Sequence, residues 1–349
     1  MSFRKDNTAY EDWLAEQCDV VKEDLEYKHR QMKKSAFIFL RATYFRWAKQ
    51  IGKLCPELMD APPVLSVGDL HLENFGTWRD ADGRLVWGVN DFDEAAVMPY
   101  PLDLVRLAAS IRLADLAVSH RAAAAALLKG YHAGLDQPQP ALLDEGETWL
   151  RPYAADTEQK SRQFWKKVAD YPKATPPRKI ADALMASLPK DAANIRFRSR
   201  IAGTGSLGRP RYVAVAFWRG GHVLREAKAL VPSAWTWANG GKSRASHFLA
   251  LANGQNRAPD PFLDAHDKFI FRRIAADSRK IELVDVGGSE IKVNILQAMG
   301  FDLASIHAAG TPGVAALRAN LKKRPRGWLN DAAKTAVAAV KRDYEEWRN

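Results

Sequence analysis

The sequence predicts an α+β fold, and three observations point to it. A helical pattern fills the first sixty residues, short apolar strands appear near residues 64 and 85, and a β-rich stretch over 195–231 precedes a second helical region. Taken in order, Trp13, Leu14, Val20, Val21 and Leu25 leave an apolar face between charges. Phe37, Leu40, Tyr44 and Trp47 recur at helical spacing, so 1–60 reads as helical. Pro62 and Pro63 stop that pattern. Residues 64–67 read as a buried strand that runs through Gly68 into a polar loop over 69–76. A second strand is expected at 84–89, entered through the turn at 80–83. Helix returns from Pro101 to about Gly134. Residues 135–193 mix Pro, charge and Trp, with helical pieces expected at 141–150 and 158–170 and a linker at 171–177.

The character then changes. Strands are expected at 196–201, 211–218 and 222–230, joined by a Gly-rich turn and a Gly-Gly turn. Two more are expected at 270–274 and 280–286. Residues 290–309 read as an amphipathic helix with Ile295, Met299, Leu303 and Ile306 on one face. The tail from 313 is helical and charged, with a break at Pro325. The sequence shows no internal repeat.

Composition narrows the class. A chain of 349 residues is long enough for one large domain or two ordinary ones with a real core. At 47% hydrophobic and 27% charged, disordered, collagen-like and coiled-coil classes drop out. No uncharged apolar run reaches the roughly 18 residues of a membrane span, and the first residues have no apolar signal-peptide core. Cys18 and Cys55 make neither a disulfide framework nor a cysteine zinc site, so a reducing cytoplasm is the expected home. Lys and Arg number 52 against 41 Asp and Glu, a net charge of +11. Such a balance favours anionic partners: nucleotides, phosphometabolites, nucleic acid or acidic lipid. The eleven tryptophans are expected mostly as core or groove anchors.

Two polar clusters carry the chemistry. One is Gly68-Asp69-Leu70-His71-Leu72-Glu73-Asn74-Phe75-Gly76; the other is Asn90-Asp91-Phe92-Asp93-Glu94. Each follows a short apolar strand, where side chains are held rigidly and still face a ligand. Carboxylates and an amide on adjacent loops form a hard-oxygen set suited to Mg²⁺. Phosphoryl transfer needs an Asp at the attacking hydroxyl, with an Asp and an Asn holding metal against phosphates. The plainer reading is an Asp/Asn-rich surface turn whose side chains cap their own backbone.

Asp-x-His-x-x-Asn followed by Asp-Phe-Asp resembles the catalytic and metal loops of aminoglycoside-phosphotransferase-like kinases. More closely, the string from Gly68 through Asp93, with Pro101-Leu102-Asp103-Leu104-Val105-Arg106-Leu107 behind it and Phe37-Ile38-Phe39-Leu40-Arg41 before it, resembles the bacterial DUF2252 family. The kinase resemblance implies a bilobal kinase-like fold using ATP and Mg²⁺. It implies Asp69 as catalytic base, His71 as a brace of the loop, Asn74 and Asp91 as metal ligands, and Asp93 and Asp103 in support. Many phosphotransferases carry His before the Gly-Asp pair, where this chain has Val67.

A third cluster, Gly203-Thr204-Gly205-Ser206-Leu207-Gly208, lies between two expected strands. A Rossmann site would need a helix after the glycines, and strand periodicity follows instead. A Gly-rich loop between strands with a lysine on the next strand is the kinase arrangement. Here Gly203, Gly205, Ser206 and Gly208 would cradle the nucleotide, and Lys228 would meet its phosphates. A turn that needs no ligand and a lysine whose stem lies along the sheet are the plainer readings. No glutamate partner for Lys228 is assigned: Glu226, Glu282 and Glu290 all remain open. Arg272 and Arg273 are read as surface ion pairs rather than phosphate ligands, and Lys322-Lys323-Arg324-Pro325-Arg326 as a solvated helix end.

In ordinary kinases the Gly-rich loop precedes the catalytic loop; here the order is reversed. Circular permutation is one expected solution, a misread β-hairpin at 203–228 the plainer one. A C-lobe-like region (1–190) comes first, a β-rich nucleotide-binding region (191–290) follows, and C-terminal helices (291–349) pack back on the first. Met299 to His307 resembles the kinase helix that leads into the catalytic loop, as permutation at that junction requires. The expected activity is ATP- and Mg²⁺-dependent phosphoryl transfer to a hydroxyl of a small acceptor. Nucleotidyl (AMP) transfer, a nucleotide-binding regulator without catalysis, and a basic nucleic-acid-binding protein are the competing readings.

Overall fold

The computed structural model describes all residues except 1, 155–157, 242–245, 284 and 311. The first sixty residues form four helices: α1 (Phe3–Gln17), α2 (Lys22–Met32), α3 (Ala36–Ala42) and α4 (Tyr44–Leu54). Ser2 and Ser35 start α1 and α3 by accepting from the N–H groups of Lys5 and Ile38. After Pro62 come β1 (Pro63–Ser66), β2 (Phe75–Arg79), β3 (Leu85–Val89) and β4 (Ala96–Pro99), then α5 (Pro101–Leu113) and α6 (His120–Asp136). Strands β1 and β4 pair antiparallel. Strands β2 and β3 pair antiparallel, with the two-residue β5 (Ala141–Leu142) added at the edge.

Helices α7 (Arg151–Ala154), α8 (Glu158–Ala169) and α9 (Arg178–Ala186) lead to the main sheet. Its strands are β6 (Ala193–Ser199), β7 (Arg211–Trp218), β8 (Gly221–Ala229), β9 (Asp264–His266) and β10 (Phe269–Arg273), in the order β6-β7-β8-β10-β9 and antiparallel throughout. Short helices α10 (Ala234–Ala238) and α11 (Phe248–Ala252) cross between β8 and β9. The chain ends in α12 (Ser289–Ala308), α13 (Val314–Lys323) and α14 (Trp328–Arg348).

Strand alternation decides what each face of the main sheet does. Ala214, Ala216 and Ala227 pack against Ile180 and Leu184 of α9. Val213 and Leu224 face the other way, against Val168 and Tyr171 at the end of α8. Glu226 and Lys228 share this second face with Leu224. The largest core cluster joins α1, α3 to α6 and α12 to α14 with both small sheets. Trp47, Trp87, Trp328 and Trp347 are buried in it as core anchors. Helices α6 and α12 approach so closely that Gly130 and Gly134 lie against the carbonyls of Gln297 and Phe301, and Gly300 lies against that of Leu127. No described helix is long and apolar enough to cross a membrane.

Several expected elements take a different form. Of the strand expected at 280–286, residue 284 lies outside the described residues and the others form no strand. Ile281 and Leu283 are buried with the right alternation, but pairing stops at a single bridge from Lys280 to Gly76. Residues 141–150 are not helical. Ala141 and Leu142 pair with Trp87 and Val86, and the Asp144 carboxylate accepts from Leu85 N–H at 2.9 Å. This tertiary pairing overrides local preference, and only a 3-10 turn at Thr148–Leu150 follows. The loop expected over 69–76 contains a 3-10 turn at Leu72–Asn74 and the start of β2. Helix α9, unmarked by any sequence signal read above, forms because Ile180 and Leu184 find the sheet.

Candidate active site

The loop after β1 is held from behind. Asp103, in the first turn of α5 and fully buried, accepts from Val67 N–H at 2.7 Å and from Gly68 N–H at 2.9 Å. His307 of α12 contacts the same carboxylate at 3.1 Å. Gly68 has φ +86° and lies against the carbonyl of Glu94, so a side chain there would be both strained and overlapping. Asp69 is thereby directed away from the strand. Its Oδ1 accepts from Arg106 Nη2 at 2.7 Å and Nε at 3.1 Å. Burial raises the Asp69 carboxyl above its ordinary range, against the pull of Arg106.

His71 and Asn74 fix the rest of this loop reciprocally. His71 Nδ1 accepts from Glu73 N–H at 3.2 Å, and Asn74 Oδ1 accepts from His71 N–H at 2.9 Å. Burial, with Arg41 and Lys280 nearby, holds His71 well below the usual imidazole range, so it is a neutral acceptor.

The loop after β3 is anchored by α12. Asp302 accepts from Val89 N–H at 2.8 Å and pairs with Arg257 at 2.8 Å. Beyond it, Asp91 and Asp93 converge on Lys228. Lys228 Nζ forms an ion pair with Asp93 and stands 3.5 Å from Asp91 Oδ2. Burial works against ionisation of Asp91, but Lys228 and the hydrogen bond to Asp93 outweigh it and hold Asp91 well below the carboxylate range. Burial and the charge of Asp91 push Asp93 the other way. Glu94 turns inward to Arg209 at 2.7 Å and to Ala234 N–H at 2.6 Å.

On the sheet, Glu226 is fully buried among three arginines. Arg200 approaches to 2.5 Å, Arg211 to 3.1 Å and Arg272 to 2.7 Å. Arg272 is therefore not a surface pair, since it serves buried Glu226, whereas Arg273 makes a half-buried ion pair with Asp260 at 3.2 Å; both line the cavity. The turn after β6 bends at Gly203, φ +75°. It brings Gly205 against Arg41 carbonyl and Asp69 Oδ2, 2.9 and 3.3 Å from where a Cβ would stand. Arg211 Nη2 donates to Ser206 Oγ at 2.9 Å. Helix α2 covers the same turn: Val21 N–H donates to Gly208 carbonyl at 2.9 Å, and Lys28 Nζ to Gly205 carbonyl at 3.4 Å.

One cavity of about 340 Å³ receives these loops. Asp69, His71, Asn74, Asp91, Asp93, Gly203, Gly205, Ser206 and Lys228 line it, although they come from segments more than a hundred residues apart. Gly208 and Asp103 do not line it; Gly208 is packed under Leu25 and Asp103 lies behind the first loop. Of the glutamates considered for Lys228, Glu226 is engaged by its arginines, and among the described residues Lys228 pairs with Asp91 and Asp93 rather than with Glu282 or Glu290. Eleven Lys and Arg side chains line the cavity against six Asp and Glu. Among the described residues no three His, Cys, Asp or Glu side chains cluster as a self-sufficient metal cage. The oxygen set of Asn74 and Asp91 suits Mg²⁺ shared with ligand phosphates, which takes only one or two protein carboxylates.

Sequence reasoning missed the residues that hold the site from behind, namely Arg106, Arg209, Arg257, Asp302 and His307. For Arg106, Asp302 and His307 the signal was charge placed on otherwise buried faces of α5 and α12; Arg209 and Arg257 lie in loops, where no such pattern marks them. No curated protein and no solved structure matches the chain. The Gly-rich turn and Lys228 lie beyond the segment that a family model does match: residues 20–137, which contain both acidic loops, Arg41, Asp103 and Arg106, match a family described as an uncharacterized protein conserved in bacteria, DUF2252.

Proposed function

We propose that this protein is an ATP- and Mg²⁺-dependent phosphotransferase with a kinase-like, circularly permuted arrangement of its parts. The observation that carries the reading is the convergence of Asp69, Asn74, Asp91 and Lys228 in one cavity beneath a Gly-rich turn. In this reading Asp69 accepts the proton of the acceptor hydroxyl as the new O–P bond forms and the bond to the ADP oxygen breaks. Its raised carboxyl favours that role, and Arg106 fixes its orientation. Asn74 and Asp91 would hold Mg²⁺, which neutralises charge on the phosphates. Lys228, now shared between Asp91 and Asp93, supplies a cation to the same phosphates. Asp103 and His307 position the loop.

The test is thermal stability with MgATP, with EDTA as control, beside a turnover assay. A ligand near 100 times its dissociation constant adds about 2.7 kcal/mol. The Mg²⁺-dependent shift should be lost in Asp91→Asn and Lys228→Ala. Asp69→Asn should keep the shift while turnover falls by roughly 10² to 10⁴. Unchanged turnover in Asp69→Asn would remove the assignment. Release of pyrophosphate in place of ADP would make the reaction nucleotidyl transfer.

A further inference from the structure

Two groups of cations in the cavity differ in how they are paired. Arg200, Arg211 and Arg272 surround Glu226 on the sheet, beside Lys228. The other group lies at the first loop. Arg41 of α3 and Lys280 share a single carboxylate, Glu73, at 2.9 and 3.6 Å. Both cations lie near His71, and Glu282 lies near both of them as well. Arg41 is only 9% exposed, and among the described residues its Nε–H meets no acceptor. Lys280 is less buried, its side chain 38% exposed, and it lines the cavity with Arg41. A buried guanidinium donor without an acceptor is costly unless a ligand supplies one.

From this geometry, and on the phosphotransferase reading above, we infer that the acceptor is itself an anion: a small hydroxyl compound bearing a phosphate or carboxylate, which Arg41 and Lys280 grip while its hydroxyl faces Asp69. The charge balance points the same way. The cationic side chains that line the cavity outnumber its lining carboxylates by five, and by three once buried Glu226 and Asp302, which pair with four of those arginines, are counted. A magnesium–ATP complex, with a charge near −2, leaves that balance positive. A polycationic acceptor such as an aminoglycoside would add to the excess, whereas an anionic one reduces it. A guanidinium and an ammonium sharing a carboxylate also give the fork-and-point geometry that phosphate and carboxylate groups accept.

The experiment fills the nucleotide site first. With MgAMPPNP saturating, thermal shifts are titrated with inorganic phosphate, glycerol 3-phosphate and glycerate, and separately with glycerol and kanamycin. Glycerol 3-phosphate or glycerate should add a second stabilisation beyond that of the nucleotide. Lys280→Gln and Arg41→Gln should weaken the apparent affinity for that anion by about tenfold or more, and Lys280→Arg should restore it. Phosphate binding alone identifies the anion grip; binding of glycerate alone selects a carboxylate acceptor. An intact nucleotide shift with no anion increment, an increment equal in wild type and Lys280→Gln, or a larger response to kanamycin would overturn the inference and leave the phosphotransferase reading standing. Loss of the nucleotide shift itself, with the Lys280-dependent anion response retained, would instead overturn the phosphotransferase reading.

Discussion

Lys28 is the most poorly compensated charge near Asp69. It is 3% exposed, and among the described residues its ammonium donates only to the Gly205 carbonyl. Burial pushes it down to about 8; Glu11, Glu94 and Asp69 oppose that shift and Arg209 adds to it. Between about 8 and its unfolded value near 10.4, the unfolded chain holds a proton that the folded one has released. This residue therefore makes stability rise with pH across that window. Lys28→Met should stabilise the protein at pH 7, by on the order of 2 kcal/mol. The gap between variant and wild type should close by about pH 10, as followed by Tm against pH. A destabilised variant with a gap constant in pH would contradict this account. At this scale the sequence was legible where chemistry is concentrated in short strings: Asp69, His71, Asn74 and Asp91 stand in two loops and line one cavity. It was opaque where a charge acts through tertiary contact alone. Nothing around Lys28 or Arg41 marks either as a cavity residue before α2 and α3 are laid over the Gly-rich turn.

The main sheet shows how strand alternation can place a whole electrostatic network. Glu226 and Lys228 are two apart on β8, so both lie on one face of the sheet, and register brings Arg211 opposite Lys228 and Arg272 opposite Glu226. Burial works against the Glu226 carboxylate, but Arg211, Arg272 and Arg200 hold it well below the ordinary range. Its contribution to stability is therefore complete above the unfolded value near 4.3. It is lost only as pH falls through the lowered folded value. Glu226→Gln leaves three buried or half-buried arginines without their shared anion, which should cost about 3 to 5 kcal/mol near neutral pH. Chemical denaturation of the two proteins measures it, and a cost under about 1 kcal/mol would mean the arginines find other partners. The strands of this sheet were readable because turns and alternation agree at 211–218 and 221–229. The strand expected at 280–286 failed although its alternation is real, because alternation records burial and pairing needs a neighbour. The helix expected at 141–150 failed for the converse reason: β3 offered a neighbour that local pattern does not register.

The whole molecule joins its ends. Phe3 and Arg4 N–H groups donate to the Glu346 carboxylate at 3.0 and 3.2 Å, and buried Arg46 ties Asp6 of α1 to Asp343 of α14. Helices α12 and α14, last in sequence, pack among α1 and α3 to α6 in the same core. Segment order is visible in sequence, but this return of the last helices onto the first is not, since it depends on contacts more than three hundred residues apart. The packing also assigns α8 and α9 to the sheet, although they precede it in the chain. If the site depends on which parts meet rather than on where the chain starts, a rearranged chain should rebuild it. A short Gly/Ser linker of about six residues can connect such neighbouring ends, and new termini can open in the loop between α9 and β6. That chain would run sheet first, then α12 to α14, then the helices with both acidic loops, in the order of an ordinary kinase. It should melt cooperatively, because each hydrophobic cluster is retained and only one exposed connection is cut. It should also keep the Mg²⁺-dependent nucleotide shift, since Asp91 and Lys228 are joined through space. A permuted protein that folds by circular dichroism but loses the shift would mean that the α9–β6 connection holds the sheet in place over Asp69 and Asp91.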